Sequence, residues 1–297
     1  MKKFATLIVF GLLMVAHGEA DAQSLCGGKV KAVRRGSLPE EVSGSSSLFW
    51  MDGRLWTAND HGALRLYALD TLTAEIDSVI DLGAKVYDLE EVTLDSLYLY
   101  FGDFGDNNGT RSSLRILRLS RRDLAEGRFI FDTIFFHYPE RTVDNARDFD
   151  CEAFLAGTDS LYLFTKQWTS HGSVCYSLPK VPGTYAACRR FELPTDGLVT
   201  AACYLPDKRR IVLLGYSMIA KPFLFVIDGF SGEDIATGLQ RRVSTFNPLG
   251  TQTEGIASLD GQHFFLTNET LSLRLFFRSA ALLHLELLLF QEEPTED

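Results

Sequence analysis

The pattern that most constrains this chain is a repeat of roughly fifty residues. Its unit is a polar residue, a small residue, a short apolar run, a turn, and a second apolar run ending in a polar group. Five instances occur: "VSGSSSLFWMDGRLWTAND", "LEEVTLDSLYLYFGD", "CEAFLAGTDSLYLFTK", "VTAACYLPDKRRIVLLGY" and "TEGIASLDGQHFFLTN". Aligned, they stack Ser43, Glu90, Glu152, Thr200 and Glu254 at the first position. The runs are short, rich in β-branched and aromatic residues, and bounded by turn residues, which reads as strands. Each interval has room for two further strands. They are plainest as "SLRILRLSR" and "RFIFDTIFFHY" in the second unit, and as "ALRLYALD" and "IDSVIDL" in the first. The chain is therefore expected to be all-β: a β-propeller of four-stranded antiparallel blades, whose radial packing leaves only short edges. Five blades are expected. Six would need a hidden blade between Glu90 and Glu152, where there is chain enough for one only. The segment "GKVKAVRRG" is expected to supply a strand that closes the ring against the last blade. "SAALLHLELLLFQ" is expected to form the final outer strand or strands, although its Leu, Ala and Glu content also favours helix.

The ends read differently from the repeat. Lys2 and Lys3 precede the apolar run "FATLIVFGLLMVA" and the small-x-small Ala20-Asp21-Ala22. That is the pattern of a cleavable secretory signal over residues 1–22, and the run is too short to serve as a transmembrane segment. Residues 23–290 then form one propeller domain, and the acidic tail 291–297 reads as disordered. Export implies a periplasmic or extracellular setting. Lipid anchoring at Cys26 is the alternative; "QSL" before it fits a lipobox poorly. The net charge of −10 repels phosphate backbones and argues against a nucleic-acid partner. Five cysteines, an odd number, leave at least one unpaired. Cys175 and Cys188 flank a Pro-Gly turn as a candidate pair on adjacent strands; buried free thiols are the other reading.

Several stretches resemble a group of exported propeller proteins common in Bacteroidetes and largely uncharacterised. They are "LWTANDHG", "YDLEEV", "YFGDFGDNNGTRSSLRILRLS", "FDCEAFLAGTDSLYLFTKQW", "YSLPKVPGTYAA" and "TEGI", and they span Leu38 to Thr270. The chain departs from that group at "YDLEE", where relatives often carry Trp between the acids, and after Thr270. The resemblance implies a propeller and export, and brings no activity with it. More distantly, the Glu-Gly-Ile starts are similar to gluconolactonase-like and strictosidine-synthase-like propellers, which enclose a divalent metal or a substrate near the axis.

In a propeller the first strand of each blade lines the central channel, so the repeated Glu90, Glu152 and Glu254 are expected there, with Asp88 and Asp150 two residues upstream. Carboxylates that share a channel repel one another unless a cation, water or arginine compensates. Calcium prefers such oxygen ligands. Asn59, Asp60, Asp103, Lys166 and Asn268 end second strands and are placed at the same mouth. The candidate metal set is thus Glu90, Glu152, Glu254, Asp103, Asn59 and Asn268, with Ca2+ as the candidate ion. Repeated capping or inter-blade hydrogen bonds explain the same glutamates without a ligand. Asp103-Phe104-Gly105 mimics a kinase motif, but no kinase lysine, HRD loop or glycine-rich loop accompanies it. "DNNG" reads as a turn, since its acids do not match a calcium-loop spacing. Ser217 in "GYSMI" lacks the second glycine of a nucleophile elbow. Trp50, Trp56 and Trp168 offer a sugar-stacking surface, although strand position favours blade packing. The leading functional expectation is a binding or interaction module for a protein or glycan ligand. The alternatives are a calcium-dependent lactonase- or esterase-like hydrolase and an envelope scaffold.

Overall fold

The computed structural model describes residues 28–244, 252–273 and 276–289. The expected signal segment, Cys26 and the acidic tail lie outside them. The chain forms five four-stranded antiparallel sheets arranged as the blades of a five-bladed β-propeller. Blade one comprises Phe49–Met51, Arg54–Ala58, Gly62–Leu69 and Ile76–Val86. Blade two comprises Leu89–Leu94, Tyr98–Asp103, Leu114–Ser120 and Phe131–His137; blade three Asp150–Ala156, Ser160–Lys166, Ser173–Pro179 and Cys188–Leu193. Blade four is Leu198–Leu205, Arg210–Tyr216, Pro222–Asp228 and Leu239–Ser244. Blade five takes Thr253–Ser258, His263–Asn268 and Ala281–Leu289 from the C-terminal part of the chain, and Gly28–Ser37 as its outer strand. The N-terminal strand thus closes the ring as expected. The leucine-rich C-terminal segment is a strand, third in its blade rather than outermost, because Gly28–Ser37 covers its free edge.

Strand composition follows radial position. The inner strand Asp150–Ala156 is buried at every residue, whereas the outer strand Ile76–Val86 is half-buried or exposed at nearly every position. Period-two alternation sends successive side chains to opposite neighbours. Leu99 and Phe101 pack toward blade one while Tyr100 packs toward blade three. Five apolar clusters result, one at each blade interface. The fifth joins Leu55 and Tyr67 of blade one to Ala257 and Leu282 of blade five, with Leu38 and Val42 filling the seam. Each fully buried Leu or Phe contributes about 1.5–3 kcal/mol, so stability is distributed around the ring. Gly183–Ala186 leaves blade three and pairs in parallel with the outer strand of blade two, tying those blades together.

One register recurs in every blade. The start of each inner strand faces the end of the second: Ser45↔Asn59, Leu89↔Asp103, Asp150↔Lys166, Leu198↔Tyr216 and Thr253↔Asn268. The ladder then slips by one residue, directly afterwards at Glu90 and Glu254 and one pair later at Glu152 and Thr200. A bulge inserts an extra residue and re-aims its side chain, and these bulges carry the repeated glutamates. In blade one the same slip falls between Ser45 and Phe49. The register therefore places the equivalent position after Ser45, rather than at the aligned Ser43; three serines in a row blur the alignment there. Cys175 and Cys188 lie on adjacent strands but out of register, since Cys188 faces Ser177, and both are free.

Candidate functional site

The shared register brings the starts of all inner strands and the ends of all second strands to one mouth of the channel. The polar side chains gathered there are buried: Glu90, Asp103, Asp150, Glu152, Lys166, Glu254 and Asn268. Their centre is Lys166. Its Nζ donates to Glu152 Oε1 at 2.7 Å and Oε2 at 2.6 Å. It lies 4.8 Å from the Trp168 ring centroid and 5.4 Å from that of Tyr216. Burial opposes a charge on Lys166, but Glu152, with Tyr216, Glu254 and Asp150 around it, holds the ammonium well above its usual range.

Most neighbouring carboxylates are committed to the protein. Asp103, with no exposed surface, bonds Arg111 Nη2 at 2.6 Å and Arg115 Nε at 2.8 Å, and accepts the Tyr87 and Asp88 backbone N–H groups. Burial would raise its pKa; the two arginines outweigh that and hold it below the usual carboxylate range. Asp106 accepts from Thr110 and Arg111 N–H groups and from Arg141 Nη2 at 2.5 Å, so "DNNG" is an arginine-locked turn. Asp150 accepts from Trp168 Nε1 at 2.9 Å and from Asp106 N–H at 2.8 Å. Glu91 accepts the Ala202 N–H of blade four at 3.2 Å, crossing the channel below the mouth.

Two repeated glutamates are different. Among the described residues, the carboxyl groups of Glu90 and Glu254 have no hydrogen-bond partner. Both are buried. Burial pushes Glu254 up to about 8, with nearby Glu269 and Asp150 adding to burial against the pull of Lys166. Burial, then Glu152 and Asp88, raise Glu90 well above the usual range. Asp88, half-buried at the rim, is pushed up to about 6 by burial and by Asp150. Gly105 makes this arrangement fit. A Cβ built there would lie 2.0 Å from Glu90 Oε1 and 2.7 Å from Asp88 Cγ. That is the physical role of the Asp-Phe-Gly sequence: an ion-paired aspartate, a core ring packed edge-on against Phe154, and a glycine cleared for two carboxyls.

The six candidate ligands therefore share a mouth but divide in role. Asn59 spends its amide on His61 O and Arg65 N–H, and Asn268 donates to Glu269 O and Ser279 O. Asp103 serves its arginines and Glu152 serves Lys166. Among the described residues no three Asp, Glu, His or Cys side chains form a metal-holding group. Of the tryptophans, Trp50 and Trp56 pack within and between blades, as strand position implied. Trp168 lies just past its strand at the mouth, bound to Asp150. Sequence reasoning missed Tyr216, although its place at the end of "RIVLLGY" matches that of Lys166 in the repeat.

No family model and no curated protein matches the chain. Among solved structures, the α-L-arabinofuranosidase of Podospora anserina, crystallised with cellotriose, superposes with a TM-score of 0.51 at 10% identity, covering 86% of this chain and 95% of that one. A Bacteroides uniformis protein named by inference as a 6-phosphogluconolactonase superposes at 0.43 with 15% identity, and this chain spans 65% of its length. The first likeness is one of fold. Fold and mouth together define a five-bladed propeller with a cluster of buried carboxyl groups at one end of its channel. Among the described residues no helix is long and apolar enough to cross a membrane.

Proposed function

We propose that the protein binds a small polyhydroxylated ligand, a sugar or sugar lactone, in the axial pit. The observation behind this reading is the pair Glu90 and Glu254, buried carboxyl groups without a hydrogen-bond partner among the described residues. Each of the two residues keeps 7% of its surface exposed, so its carboxyl is reachable from the channel mouth, where ligand hydroxyls would bond it. Held neutral by burial, a carboxyl both donates and accepts, as a hydroxyl does. Trp168, half-buried at the mouth, supplies an aromatic wall suited to the C–H face of a sugar ring. The arabinofuranosidase crystallised with cellotriose shows that a related fold accommodates such ligands. Export, expected from residues 1–22, would bring the mouth to extracellular glycans.

Hydrolysis is the second reading, and Glu254 favours it. A carboxyl held protonated to about pH 8 is suited to act as a general acid. The calcium route fits these residues less well. Calcium takes six to eight oxygen ligands, and of the six candidates Asn59, Asp103 and Glu152 already have their oxygens bonded within the protein, leaving Glu90, Glu254 and Asn268. The Lys166 ammonium supplies compensating charge instead.

The test is calorimetric titration of mono- and oligosaccharides and aldonolactones into the wild-type protein and into Glu90→Gln and Glu254→Gln. Binding that both variants weaken by tenfold or more, with circular dichroism unchanged, supports the reading. No binding to any member, or full binding by both variants, removes it. A calcium-dependent rise in Tm that either variant abolishes would restore the metal reading.

A further inference from the structure

The rim of the pit carries a second feature, which bears on the length of the ligand. Tyr87, in the two-residue bend between the strands ending at Val86 and starting at Leu89, is 76% exposed. Its backbone N–H donates to Asp103 Oδ1 at 3.2 Å. The guanidinium carbons of Arg111 and Arg115 lie 5.8 and 5.2 Å from its ring centroid. Both arginines are pinned to Asp103, and Arg115 also donates to Lys85 O at 2.9 Å. The same fully buried carboxylate thus fixes both the backbone of Tyr87 and the cations packed on its ring. An exposed aromatic held this way loses little entropy when a ligand stacks on it.

Its position is equally specific. Tyr87 enters the strand that carries Glu90, and three residues of extended chain reach at most about 10–11 Å. A second ring linked to one bonded to Glu90 lies within that reach of Tyr87. Building on the pit as a sugar site, the geometry points to Tyr87 as a preorganised stacking platform for a second ring, making the ligand an oligosaccharide rather than a monosaccharide. The exposed phenol edge and the flanking arginines would bond that ring's hydroxyls, while its C–H face lies on the aromatic face.

The experiment titrates mono-, di- and trisaccharides of β-1,4-linked glucose, xylose and mannose into four proteins: wild type, Tyr87→Ala, Tyr87→Trp and Glu254→Gln. In any series that binds, affinity should rise from one ring to two. Tyr87→Ala should weaken the di- and trisaccharide about three- to tenfold while leaving the monosaccharide unchanged. Tyr87→Trp should retain the gain, and Glu254→Gln should weaken every length. Because Tyr87 is largely exposed, unchanged Tm in the alanine variant separates lost stacking from lost fold. Equal affinity of wild type and Tyr87→Ala for the longer sugars, or equal weakening at all lengths, overturns the platform while the pit reading stands. Absence of binding in every series overturns both.

Discussion

Lys166 and Glu152 end and begin neighbouring strands of blade three, and the lysine ammonium sits within 2.7 Å of both carboxylate oxygens while each side chain is almost wholly buried. Removing one member of such a pair leaves an uncompensated buried charge, which costs about 3–5 kcal/mol. Lys166→Met should therefore lower stability by that order, measured by urea denaturation at pH 7. The double variant Lys166→Met/Glu152→Gln should recover much of the loss, because no unpaired charge remains. A double variant as unstable as the single one would show that the lysine matters by packing alone.

The raised carboxyl of Glu254 makes stability depend on pH in a direction opposite to that of an ordinary ion-paired acid. Its pKa rises from 4.5 to about 8 on folding. Between those values the folded chain holds a proton that the unfolded chain has lost, so raising the pH through this window weakens the fold. Asp88, raised to about 6 from 3.8, adds the same sign over a lower window. Glu254→Gln keeps the shape and removes the titration. Relative to wild type it should show a flatter stability profile between pH 5 and 8, and should be more stable at pH 8 by on the order of 1 kcal/mol. Parallel profiles for the two proteins would refute the assignment.

The ring was legible because its cause is periodic. A propeller repeats one supersecondary unit, so Glu90, Glu152 and Glu254 align in the sequence and then occupy the same bulge in the structure. What each does there was not legible, because the partners come from elsewhere in the chain. Asp103 is tied to Arg111 and Arg115 on the far side of a loop, and Asp150 to a tryptophan just past the second strand. Pattern showed which residues reach the mouth. Only side-chain geometry separates carboxyls already paired from the two that are not. Blade one is the instructive miss: consecutive serines gave no contrast by which to place the bulge after Ser45 rather than at Ser43.

Gly105 is expected to tolerate no side chain. The Cβ of an alanine would overlap Glu90 Oε1 and press on Asp88. The surrounding carboxyls would have to rotate away, since Phe104 and the turn that begins at Asp106 hold the backbone from either side. Gly105→Ala should cost about 1–3 kcal/mol, the usual range for overpacking, and should abolish the ligand response along with it. Glycine at neighbouring position 109 serves a different need, a positive φ of 67°. Gly109→Ala should therefore lower Tm while leaving affinity in the surviving folded fraction intact. Equal effects of the two variants on affinity would contradict the role given to Gly105.

The last relationship is between the chain's two ends. Gly28–Ser37 pairs along its whole length with Ala281–Leu289, from Gly28↔Leu289 to Ser37↔Ala281. Gly36 presses so closely on blade one that a Cβ there would lie 1.9 Å from Thr73 O. The strand therefore completes blade five and seals it against blade one. Deleting residues through Ser37 would leave a nine-residue edge of unpaired backbone groups, a template for pairing with another chain. The truncated protein should melt lower by on the order of 10 °C, taking about 3 kcal/mol lost at 2–4 °C per kcal/mol for a chain of this size. It should also self-associate in light scattering. A synthetic peptide of residues 28–37 added in trans should restore both properties, because the groove it fills is otherwise built. Gly36→Val should reproduce part of the fall without any truncation, by wedging the strand away from Thr73. If the truncated chain melts at the wild-type temperature and stays monomeric, the ring is closed by the blade-one to blade-five cluster alone, and the N-terminal strand is an accessory to it.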